Sequence, residues 1–75
     1  MSDRDPRVDP RPGDVLVWGA LHPNNQAPDR GGLRIYVDHV GDDTVEYCCS
    51  RMGYAMTLDE WRKDMADAEV LHVAD

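Results

Sequence analysis

The sequence predicts a mainly β fold: a small five-stranded barrel or rolled antiparallel sheet, with one short helix before the last strand. Three observations carry this expectation. Short runs that are rich in β-branched and aromatic residues, most of them alternating, recur between Gly, Pro and Asp turns. A single helix signal, the capping box Thr57-Leu58-Asp59-Glu60, stands just before the last of those runs. The chain has 75 residues, enough for one domain with a small core.

The opening segment reads as something else. "DRDPRVDPRPG" contains Asp-Pro-Arg twice, at 5–7 and 9–11, with three prolines and alternating charge. With so little to bury, residues 1–11 are expected to be a flexible, polyproline-like tail, and residues 12–75 the single domain. Pro12-Gly13 starts that domain, and "GDVLVWG", 13–19, is its first strand. The next segment, "ALHPNNQAPDRGG" at 20–32, has neither apolar period and reads as a long loop of the kind that binds or moves.

"LRIYVDHV", 33–40, alternates cleanly, with Leu33, Ile35, Val37 and His39 on one face. "TVEYCCS", 44–50, sets Val45, Tyr47 and Cys49 against Thr44, Glu46, Cys48 and Ser50. A three-residue Gly41-Asp42-Asp43 loop pairs His39 with Val45, Val37 with Tyr47 and Ile35 with Cys49. A one-residue slip would turn one apolar set outward, so register decides the loop length. "YAMT", 54–57, is a short fourth strand. Beyond the Thr57 cap, Leu58, Trp61 and Met65 form one apolar stripe, and Asp59 and Lys63 form an i, i+4 pair on the other side. "EVLHV", 69–73, closes the fold. A long loop after the first strand, tight hairpins and a helical turn before the fifth make up the order of an SH3-like barrel.

Over residues 12–73 the chain resembles small phage- or prophage-type proteins with SH3-like barrels. The resemblance is carried by Pro12, Gly13, Asp14 and Val15; by Arg34, Val37, Val40, Asp43, Val45 and Tyr47; and by Met56, Thr57, Leu58, Glu60 and Trp61. It implies a fold and a phage setting. Small acidic proteins of that class inhibit host machinery, as anti-CRISPR and anti-restriction proteins do. The function expected here is of that kind: a non-enzymatic protein-binding module that inhibits or modulates a host nucleic-acid-binding complex, as a DNA mimic does.

Charge narrows the partners. The net charge is −7. Residues 1–37 hold five acids and five bases, whereas residues 38–75 hold ten acids and three bases. Such a field disfavours direct binding to nucleic acid or an anionic membrane and favours a basic protein or nucleoprotein. The residues expected to meet it are Glu60, Asp64 and Asp67 on the helix, Asp42, Asp43 and Glu46 around the central hairpin, and outward Tyr36. Trp18, Tyr36 and Tyr54 are the aromatics that a peptide groove would use. The alternative reading is a self-associating accessory protein, a homodimer through outward Leu16, Trp18, Tyr36 and Val40.

No catalytic residue, cofactor or metal is expected. His22, His39, Cys48, Cys49 and His72 show no metal-ligand spacing, and Asp38 and His39 alternate to opposite faces. Cys49 is expected in the core and Cys48 half-exposed, both as reduced thiols, which suits the cytoplasm. No run of about 18 apolar residues exists to cross a membrane, and the first twelve residues carry no apolar leader segment.

Overall fold

The computed structural model describes residues 4–19, 22, 32–49 and 51–74. The expected fold class is what it shows. Strands β1 (Val15–Trp18), β2 (Leu33–Val40), β3 (Thr44–Cys49), β4 (Met52–Thr57) and β5 (Glu69–His72) form one antiparallel sheet, and helix α1 (Leu58–Asp64) precedes β5. The strand order is β4-β3-β2-β1-β5, a meander with the last strand brought back beside the first. Apart from His22 and Gly32, the long 20–32 loop lies outside the described residues.

One face of the sheet and one side of the helix enclose the core. Leu16, Trp18, Ile35, Val37, Val45, Tyr47 and Cys49 come from the strands, and Trp61, Met65 and Ala68 from the helix and the turn after it. Each fully buried aliphatic side chain contributes roughly 1.5–3 kcal/mol relative to exposure. Rings organise the centre: Tyr47 lies 5.7 Å from Trp61 and meets Trp18 edge-on at 6.5 Å. Leu16 and Trp18 are thus core residues, not the outward self-interface residues of the alternative reading.

The central hairpin resolves the register conflict in an unexpected way. Gly41 N–H donates to Thr44 C=O, so the chain reverses around Asp42 and Asp43 alone. Val40 therefore faces Val45, and His39 faces Glu46. Unrelieved, this register would carry the rest of the apolar set to the wrong face. A bulge between Val37 and His39 absorbs the extra residue and restores Val37 opposite Tyr47, as expected. The expected three-residue loop and the His39–Val45 pair are thereby corrected. Val40 takes the inward place, while Asp38 and His39 are both exposed, so the simple alternation that would separate them breaks here.

The segment expected to be a free tail is docked from Arg4 onward. Asp5 Oδ1 accepts from the Arg7 backbone N–H at 3.0 Å, and Asp5 C=O accepts from Val8 and Asp9, which makes a compact turn. Pro6 is buried; its carbonyl accepts from Trp61 Nε1 at 2.9 Å, and Val8 C=O accepts from Arg62 Nε. Arg4 closes a clasp on Asp14, which is fully buried. Both guanidinium Nη atoms donate to the Asp14 carboxylate, which also accepts from the Arg11 and Ala74 backbone N–H groups at 2.7 Å. Arg4 in turn donates to Ala74 C=O at 2.6 Å. A buried carboxylate is costly unless its lone pairs are met, and here each oxygen is.

The helix starts as its capping box implies. Glu60 N–H donates to Thr57 Oγ1, and the Thr57 hydroxyl donates to Glu60 Oε1, both at 3.2 Å. Asp59 pairs with Arg62 at 3.9 Å, one position short of the expected Lys63. The helix ends at Asp64 with Met65 as C-cap, so Asp67 lies beyond it and not on a helical stripe with Glu60.

Candidate functional site

The bulge in β2 has a second effect: it aims Asp38 across the outer face of the sheet. There Asp38, Glu46, Tyr47, Gly53, Tyr54 and Ala55 line a shallow groove of about 320 Å³. The groove exists because the β4 residues on that side are small. A Cβ built on Gly53 would meet nothing within 4 Å, and Ala55 adds only a methyl group. Two carboxylates and no basic residue line it. Tyr36, 43% exposed, sits on the same outer face between Val15 and Cys48.

Tyr47 and Tyr54 are cross-strand partners, and Tyr47 belongs to the core cluster. The Tyr47 ring stacks on Tyr54 at 5.7 Å. The Tyr47 phenol is pushed up to about 12, mainly by burial, with Cys49, Asp64, Tyr54 and Glu60 adding to the effect. It stays protonated at neutral pH. Burial first, and then Cys48, also pushes the Cys49 thiol up, which keeps it a core thiol and a poor nucleophile. Among the described residues, no group of three or more His, Cys, Asp or Glu side chains is placed to hold a metal ion.

The other nominated acids stand elsewhere. Asp42 and Asp43 occupy the hairpin turn. Leu58 N–H donates to Asp43 C=O at 2.9 Å, which brings the turn beside the helix N-terminus and so beside Glu60. The Glu60 carboxylate is partly engaged by its own cap. Asp64 is half-buried at the far end of the helix, where His22 Nε2 donates to its carbonyl at 2.9 Å and the His22 ring stacks on Trp18. The seven residues nominated from the sequence are therefore spread over three places: the outer face of the sheet, the hairpin turn with the helix start, and the helix end with the turn after it.

Sequence reasoning did not place Asp38, Gly53 and Ala55 in a site. The signal for Asp38 was the register conflict itself, since a bulge is one of only two ways to settle it.

Ion pairing distinguishes these acids from those near the N-terminus. Among the described residues, the ion pairs are Arg4–Asp14, Arg7–Asp5, Arg11–Asp9 and Arg62–Asp59. Three of the four lie within the first fourteen residues, where arginines are matched to aspartates of the same segment. Asp38, Asp42, Asp43, Glu46, Asp64 and Asp67 have no cation within pairing distance among the described residues. Comparison of the chain with protein-family models, curated proteins and solved structures returns no match.

Proposed function

We propose that this protein is a non-enzymatic binding module that engages a basic protein surface through its acidic outer face and hairpin turn. The observation that supports the reading is the partition of ion pairs. The N-terminal arginines are matched within their own segment and clasp, whereas among the described residues the acids of the outer groove and the turn have no cation within pairing distance. Unpaired surface charge of one sign steers a partner of the other sign and sets the orientation of docking. A protein that itself binds nucleic acid carries such a basic surface. Occupying it would make this chain an inhibitor or modulator of that partner.

Affinity capture from a bacterial lysate tests the reading. A basic protein should be retained at low salt and released as salt rises, because exposed charge pairs are screened. The triple variant Asp42→Lys, Asp43→Lys, Glu46→Lys should fail to retain it while keeping the wild-type circular dichroism. A partner held equally by the variant, or indifferent to salt, would reject the acidic face as the contact surface.

A further inference from the structure

The two edges of the sheet are built differently. The β5 edge has four residues, includes Glu69 and His72, and shifts register against β1 between Val15 and Leu16. Short length, charge and a bulge are the usual means of blocking an edge. The β4 edge has none of them. Its six residues, MGYAMT, include no charge and no proline, and they pair with β3 in unbroken register from Thr44–Thr57 to Cys49–Met52.

The hydrogen-bond parity of this edge follows from one contact. Leu58 N–H donates to Asp43 C=O, one step beyond the Thr44–Thr57 pair. Bonded and non-bonded pairs alternate along an antiparallel ladder. Val45–Met56, Tyr47–Tyr54 and Cys49–Met52 are then the bonded pairs. Gly53, Ala55 and Thr57 turn their N–H and C=O groups away from β3, and all three residues are exposed. The edge thus offers three donors in a row and two acceptors, the Gly53 and Ala55 carbonyls, since the Thr57 carbonyl is taken up as the cap of α1.

We infer that β4 accepts an added strand, and that its occupant is an extended segment of another protein in which basic and apolar residues alternate. This rests on the proposed preference for a basic partner and specifies how that partner is held. A strand added about 4.8 Å from β4 puts alternate side chains on each face of the sheet. On the outer side, a lysine or arginine extends over Gly53 and Ala55, which offer no obstruction, toward Glu46 and Asp38 in the groove. On the other side, apolar residues cover Met52, which is 59% exposed, and Tyr54. A second copy of this chain fits the edge less well, because it would bring a second Glu46 and a second charge of −7 to the same junction.

The test uses a capped hexapeptide of alternating lysine and valine, its glutamate counterpart, and a lysine peptide N-methylated at alternate amides so that it cannot bond the edge. Amide exchange of the full chain, read by NMR, should show protection at Gly53, Ala55 and Thr57 with the lysine peptide and none with the glutamate peptide. Backbone methylation, or Ala55→Pro in the protein, should weaken binding roughly ten-fold through the lost ladder bonds. Should Ala55→Pro not fold, the methylated peptide on the wild-type chain decides. Salt-sensitive binding that survives methylation and leaves the three amides unprotected would overturn strand addition while leaving the basic-partner reading standing. Edge protection by lysine and glutamate peptides alike would overturn the charge preference and the occupant with it. A peptide-free dimer by light scattering, with the same amides protected, would overturn the heterologous occupant in favour of a second copy.

Discussion

Asp14 shows most clearly how one side chain holds this chain together. Burial alone would raise its pKa. The Arg4 hydrogen bonds, the Ala74 and Arg11 backbone N–H groups and the Arg4 charge outweigh burial, and the pKa is lowered. A lowered carboxylate pKa contributes stability that is complete above the unfolded value, about 3.9, and is lost as pH falls through the folded value. Asp5 shifts in the same direction through its hydrogen bonds from Arg7, but it is too exposed to add much. Asp14→Asn leaves the Arg4 guanidinium buried opposite a neutral amide and should cost about 3–5 kcal/mol at neutral pH. Urea unfolding at a series of pH values checks both points. The wild-type midpoint should fall steeply below about pH 4, where the gap to Asp14→Asn should narrow. A constant gap across that range would move the pH dependence to other carboxylates. Nothing in the sequence pairs Arg4 with Asp14, because the clasp also needs the Ala74 backbone, which only the folded chain brings there.

At the scale of elements, local rules were readable where local chemistry decides. β2 runs over the expected 33–40, and α1 begins at the expected Thr57 cap. Thr57→Ala should cost about 1 kcal/mol, read as a shifted denaturation midpoint with unchanged slope. No shift would mean that the last β4 pair with Thr44 fixes the helix start without help from the hydroxyl. The hairpin was only half readable. The apolar pattern correctly required Val37 to face Tyr47, but either a longer loop or a bulge satisfies that requirement. The protein uses the bulge, because Asp42 and Asp43 suffice to reverse the chain. The same choice carries Asp38 into the groove, so the least legible element of the fold supplies part of the candidate site. The helix end was misjudged for a related reason. The apolar stripe runs on to Met65 and the acidic one to Asp67, yet Met65 is the C-cap and Asp67 lies in the turn that follows the helix.

For the whole molecule, the boundary drawn after residue 11 is the reading that changes most. Prolines and alternating charges look like a solvated tail, because composition cannot show that a single carbonyl, that of Pro6, meets Trp61. Removing residues 1–11 should therefore destabilise the domain by at least about 3 kcal/mol, since Asp14 is left buried without its cation. Thermal melting followed by circular dichroism will register this as a large fall in Tm, whereas a dispensable tail would leave the melt unchanged. The clasp also bears on the order of events in folding. Arg4 and Ala74 are 70 positions apart, so their contact closes nearly the whole chain and has the largest loop-closure entropy to overcome. Contacts of that kind are expected to form after the rate-limiting barrier, once the meander has condensed. Arg4→Lys, which loses the two-pronged grip on Asp14, should then raise the unfolding limb of the chevron about ten-fold and leave the folding limb almost unmoved. In kinetic terms, the segment that reads as a loose leader acts as the latch that sets how long the native state lasts.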